Sequence, residues 1–95
     1  MKAEILLRER TQLADTLFYQ AVIWRVPSPV PSSAHDFKYS LALIADGVRV
    51  IGFDNERGKG DHRHRGKDEF PYEFISIEQL VDDFLEEVAK WCDAH

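Results

Sequence analysis

Phe37-Lys38-Tyr39-Ser40-Leu41-Ala42-Leu43-Ile44-Ala45-Asp46-Gly47-Val48-Arg49-Val50-Ile51-Gly52-Phe53 is the stretch that decides the fold. Two apolar, β-rich runs, residues 37–45 and 48–53, flank Asp46-Gly47. Asp-Gly is a dipeptide favoured by the two-residue type I′ hairpin, whose central residues both need positive φ. The sheet is therefore expected to be antiparallel. Its second strand runs straight into Asp54, which puts whatever follows at a strand end, exposed but held by a rigid support.

Beyond that end, Tyr72 to Ile75 alternates briefly after Pro71 and reads as one more edge strand. Ser76 is a good N-cap and Gln79 stands three residues on, so a helix is expected to start near Ile77. Ile77, Leu80, Val81, Phe84, Leu85, Val88, Trp91 and Cys92 recur at helical spacing, with Glu78, Asp82, Asp83, Glu86, Glu87 and Lys90 opposite them. Such a stripe reads as the face that covers a sheet, with Cys92 buried in it as a small hydrophobe.

Toward the N-terminus, Leu17 to Val26 is dense in aromatic and β-branched residues and reads as a strand. Ala3 to Arg10 reads as another, although so short an apolar run also suits a helix, and residues 10–16 read as the turn between them. The three prolines of residues 27–33 end the second strand and make a stiff connector, because each lacks a backbone donor. His35, just after it, reads as polar surface. The expected architecture is α+β: an antiparallel sheet of four to five strands with one C-terminal helix packed across it.

Ninety-five residues bound the chain to one domain, 1–95. A core of this size has little stability to spare and gains from a partner, a second copy in a homodimer among the candidates. One cysteine excludes an internal disulfide, and no apolar run approaches the roughly 20 residues of a membrane span. The chain is expected to be cytoplasmic, with no membrane partner. Net charge is −5, but residues 57–67 carry +4 and residues 68–95 carry −8. A basic segment is followed by an acidic one, a polarity that aims one surface at an anion.

The basic segment lies within Phe53 to Gly66, which also holds two of the four histidines and three of the five glycines. Gly58-Lys59-Gly60 could cradle a phosphate oxygen with backbone N–H groups and an ammonium, Arg57 and Arg63 adding charge. It lacks the Walker pattern, which disfavours a nucleotide triphosphatase. His62 and His64 alternate with Arg63 and Arg65, so in extended backbone the imidazoles leave one face and the guanidinium groups the other. Two imidazoles beside a phosphate suit acid–base cleavage of RNA by its own 2′-hydroxyl, with Asp54 or Asp61 orienting a ring. That mechanism calls for no metal and no other cofactor. A metal site of His62 and His64 with Asp54 or Asp61, and a loop that grips phosphate without chemistry, are the rival readings.

Ile23-Trp24-Arg25-Val26-Pro27, Phe37-Lys38-Tyr39, the run from Phe53 to His64 and the helix start from Ser76 to Phe84 together resemble the TumE family of small toxin-like proteins from bacterial toxin–antitoxin operons. The resemblance covers nearly the whole chain. It implies a growth-inhibiting toxin that a cognate antitoxin, commonly one with a helix-turn-helix domain, binds and silences. Combined with the loop, it leads to the expectation of a metal-independent endoribonuclease. A non-catalytic RNA- or ribosome-binding inhibitor and a nucleotidyl-transferring enzyme are the alternatives. The antitoxin is expected to mask the basic segment with acidic side chains.

Overall fold

The computed structural model describes residues 2–55 and 58–95. Its strands are β1 (Glu4–Ala14), β2 (Leu17–Arg25), β3 (Phe37–Ala45), β4 (Val48–Asp54), β5 (His62–Arg65) and β6 (Asp68–Pro71), followed by helix α1 (Ile77–Ala94). The strands form a six-stranded antiparallel sheet whose spatial order is the chain order. The class is the expected α+β, with six strands where four to five were anticipated.

The β3–β4 hairpin turns at Asp46-Gly47 with φ of 51° and 77°, the positive values a type I′ turn demands. One irregularity in its ladder decides a side chain's fate. Leu43 pairs with Ile51 while Ile44 pairs with Arg49, so Val50 is an extra residue in β4. The bulge reverses the alternation and turns Arg49 to the face it would otherwise leave.

Two expectations about the strands are corrected. β1 runs to Ala14, so the first turn shrinks to Asp15 and Thr16. Residues 72–75 form no strand; the missing hairpin is β5–β6, whose first strand lies inside the segment read as loop and whose second follows it. Gly66 opens its two-residue turn at φ 60°, and the Gly66 N–H donates to the Val50 carbonyl at 2.9 Å. Tyr72 and Phe74 are used instead to cross the core. Tyr72 meets Phe53 edge-on at 5.1 Å and its hydroxyl donates to Asp83 at 2.6 Å, while Phe74 stacks on His35 at 3.8 Å.

Register fixes two sheet faces. Ala21, Ile23, Tyr39, Leu41, Leu43, Ile51 and Phe53 lie on one face and form a buried cluster with Leu80, Phe84 and Val88 of α1. Ser76 caps the helix, its hydroxyl accepting from the Gln79 N–H at 3.1 Å. Three positions depart from the periodicity reading: Leu85 and Cys92 are exposed, and Glu87, placed on the polar side, is buried. Arginine partners on the sheet account for Glu87. The opposite sheet face is covered by no helix among the described residues.

Candidate functional site

β4 and β5 pair so that Asp54 stands opposite His62 and Gly52 opposite His64. The even positions leave the uncovered face, the odd ones the helix side, so the strand period separates the imidazoles from the guanidinium groups. The two rings meet edge to face with centroids 4.7 Å apart. His62 Nε2 lies 2.8 Å from Asp54 Oδ1, and His64 Nε2 lies 3.5 Å from Asp54 Oδ2. The Glu69 carboxylate approaches from β6, 3.5 Å from His62 Nε2 and 4.0 Å from His64 Nδ1. The side chain of His62 is only 4% exposed, that of His64 13% and that of Asp54 20%.

Distance and direction disagree at this cluster. Asp54 Oδ1, His62 Nε2 and His64 Nε2 are all buried, and none has an aligned hydrogen-bond partner, despite the short 2.8 Å separation. The alignment carries more meaning than the distance, because a hydrogen bond needs its proton aimed at the acceptor. The other nitrogen of His62 is well satisfied: Nδ1 sits 2.9 Å from the Gly60 carbonyl oxygen. A carbonyl can only accept, so Nδ1 carries the proton and, in neutral imidazole, Nε2 presents a lone pair.

Asp61 belongs to a different network. Its carboxylate accepts from Ser33 Oγ at 2.6 Å and Tyr39 Oη at 2.7 Å, and pairs with His35 Nε2 at 2.6 Å. The Phe37 N–H donates to His35 Nδ1, which assigns the Nε2 proton to the Asp61 contact. Asp61 therefore orients His35 rather than His62 or His64. Burial pushes its carboxyl up, but the hydrogen bonds from Ser33, His35 and Tyr39 outweigh it, holding the group below its ordinary range. Burial and the Asp61 hydrogen bond push the Tyr39 hydroxyl well above its usual value. Asn55, also buried, accepts from the Tyr39 N–H and donates to the Phe37 carbonyl.

A lowered carboxyl contributes stability above its unfolded-state value, near pH 4, and loses it as pH falls through the folded-state value. The urea midpoint of Asp61→Asn is accordingly expected to lie below that of the native chain at pH 7. The gap should narrow as pH drops below about 4. A gap that is constant from pH 7 to pH 2.5 would remove the carboxylate from this account.

The remaining residues singled out from sequence divide. Gly58 spends its N–H on the Pro31 carbonyl at 3.1 Å, so the proline connector braces this loop. Gly60 adopts φ 75°, and a Cβ there would stand 3.0 Å from the Ser32 carbonyl oxygen, which makes the glycine a packing requirement. Lys59 lines a cleft of about 250 Å³ with Asp61, His62, Glu69, Phe70 and Pro71. Arg63 and Arg65 leave the helix side, where Glu87 Oε1 lies 3.4 Å from the first and 2.6 Å from the second. Arg57 lies outside the described residues.

Sequence reasoning missed the cations that the uncovered face does carry. Cross-strand pairing aligns Arg8, Val22, Ser40, Asp54 and His62 in one row and Arg10, Gln20, Ala42, Gly52 and His64 in the next. Trp24 and Lys38 flank the first row, and Phe18, Ile44 and Arg49 the second. Arg10 stacks over Phe18 at 4.0 Å. Arg49, turned by the bulge, has its side chain over Gly52, with Nη1 3.6 Å from Asp54 Oδ2. The signal was the alternation in Arg8-Glu9-Arg10, but the other cations come from separate strands and only register collects them.

The uncovered face thus joins basic and aromatic side chains to a buried imidazole–carboxylate cluster, an arrangement suited to an anionic ligand. No curated protein and no solved structure matches the chain. A family model described as Toxin TumE aligns with residues 2–92, from before β1 into the last turn of α1, and on that extent the chain belongs to the TumE toxin family.

Proposed function

We propose that this toxin is an endoribonuclease whose substrate lies across the uncovered sheet face and is cut at the Asp54–His62–His64 cluster. One observation carries the reading: Arg8, Arg10, Lys38 and Arg49 share that face with Trp24 and Phe18, and the same rows end at the two histidines. Cations on a face follow a phosphate backbone, and aromatic rings offer bases a stacking surface. Attack of a 2′-oxygen on the adjacent phosphorus breaks the bond to the 5′-oxygen, giving a 2′,3′-cyclic phosphate and a 5′-hydroxyl. The proton lost by the 2′-hydroxyl and the one gained by the leaving oxygen are exchanged at the cluster. His64 is the imidazole open to substrate, and Arg49 stands beside Asp54, where it would meet charge developing on phosphorus.

Membership of the family brings an antitoxin as partner. In this reading an antitoxin with a helix-turn-helix domain covers the same face with acidic side chains. Arg63 and Arg65 have Glu87 as their neighbour, which moves the point of contact from the basic segment to the sheet.

The test incubates the protein with total RNA and maps the fragment ends, beside an Arg8→Glu/Arg10→Glu/Lys38→Glu variant. Fragments ending in cyclic phosphate are expected from the native chain. The variant is expected to cut less and to show a shallower dependence on salt, by about 0.7 in log–log slope for each lost contact to a single strand. Growth arrest with salt-sensitive RNA binding and no fragments would replace the reading with a non-catalytic inhibitor. Nucleotide transferred to RNA or protein would replace it with a nucleotidyl transferase.

A further inference from the structure

We propose that Asp54, His62 and His64 bind a divalent first-row transition metal ion. The inference rests on the cluster's own geometry and goes beyond the ribonuclease reading. Each residue offers one donor atom, and the donors all lie within 4.8 Å of one another. In the neutral state, His62 Nε2 and Asp54 Oδ1 are two acceptors facing each other 2.8 Å apart with no aligned proton between them. Two lone pairs at that distance repel. A cation held by both resolves the conflict: bonds of about 2.1 Å place neighbouring donors about 3 Å apart at octahedral angles and about 3.4 Å apart at tetrahedral ones, so a small outward shift of either side chain makes room for it.

What surrounds the rings fits the same purpose. Metal-ligating histidines commonly present their second nitrogen to a carbonyl or carboxylate, which fixes the tautomer and aims the lone pair. His62 Nδ1 meets the Gly60 carbonyl at 2.9 Å in this way, whereas the Glu69 carboxylate, 4.0 Å from His64 Nδ1, is too far for a hydrogen bond to that ring. The side chain of His62 is more than nine-tenths buried, and its unpartnered nitrogen points into the cluster. Two cations of the basic segment point away from the cluster, Arg63 and Arg65 lying on the other face with Glu87, while Lys59 lines the cleft beside His62 and Arg49 Nη1 stands 3.6 Å from Asp54 Oδ2. Glu69 adds a second carboxylate at the rim.

Two imidazoles and one carboxylate select borderline ions such as Zn²⁺, Ni²⁺ or Fe²⁺ over Mg²⁺ and Ca²⁺, which prefer oxygen donors throughout. Three protein donors leave coordination positions open, the pattern of catalytic rather than structural sites. Those positions would face the uncovered sheet surface, where His64 and Asp54 retain their exposure.

The experiment strips tag-free protein with chelator and titrates it with Co²⁺, read by its visible d–d absorption, and with Zn²⁺, read by calorimetry. One ion per chain is expected. Asp54→Asn and His64→Gln, each checked for native helix content, are expected to weaken uptake by at least about 10- to 100-fold. Cys92→Ser is expected to leave it unchanged. Absence of stoichiometric uptake, uptake indifferent to both cluster variants, or uptake lost only with the exposed Cys92 thiol would each overturn the inference. Uptake without RNA cleavage would support the metal site and remove the ribonuclease reading. Cleavage without uptake would do the reverse.

Discussion

His64→Ala is expected to remain folded while growth arrest disappears and RNA cleavage falls by about 10²- to 10⁴-fold, a loss that follows whether the ring transfers a proton or helps to hold an ion. His64 Nε2 has no aligned hydrogen-bond partner, and its ring packs against His62 on the face that no helix covers among the described residues. Removing it therefore leaves no buried group newly unsatisfied, apart from opening space beside His62. His62→Ala is a poorer probe because that ring is buried and its Nδ1 holds the Gly60 carbonyl, so lost activity there mixes chemistry with loop structure. Growth assays with thermal unfolding and RNA end-mapping separate the two effects. A stable His64→Ala protein that arrests growth as the native chain does would remove the cluster from the toxin's action.

The largest effect on stability is expected from Phe84→Ala. That ring is 1% exposed and sits between Phe53, edge-on at 6.1 Å, and Tyr19, edge-on at 5.7 Å. Its removal opens a cavity where the helix meets the sheet centre, at a typical cost of about 3–5 kcal/mol. A chain of this length has a total margin of about 5–14 kcal/mol. The melting temperature should fall by about 15–30 °C. Leu85→Ala, one residue on and 40% exposed, should move it by only a few degrees. Equal shifts for the two variants would mean that α1 does not pack as described.

Those contrasts show which parts of the molecule were legible in the sequence. The β3–β4 hairpin could be read because Asp46-Gly47 encodes its turn within two residues. Helix α1 could be read because Ser76 caps it and its apolar residues recur at 3.6, although Glu87 falls on the polar side of the wheel and is still buried, drawn in by two arginines. The β5–β6 hairpin could not. His-Arg-His-Arg has the strand period without an apolar face, and its pairing is supplied by β4 rather than by its own composition. The separation of imidazoles from guanidinium groups followed from alternation alone, and Asp54 did come to lie beside the histidines. Asp61 illustrates the opposite limit. Its partners Ser33, His35 and Tyr39 stand 28, 26 and 22 residues away, and sequence proximity to His62 pointed to the wrong ring.

The strand order has a kinetic consequence. Every ladder in the sheet joins neighbours in the chain, so each new strand adds to the one before it and closes only a short loop. Pairing between chain neighbours favours folding on the millisecond scale, and the slower event should be the docking of α1 across strands already paired. Refolded before its four prolines isomerise, the chain is expected to show a single fast stopped-flow phase, with Phe84→Ala accelerating unfolding more than it slows folding. A phase of many seconds in that double-jump experiment would contradict this sequence of events. A chain built this way would complete its sheet almost as soon as it is synthesised, so folding itself would add little delay before the surface it presents is formed.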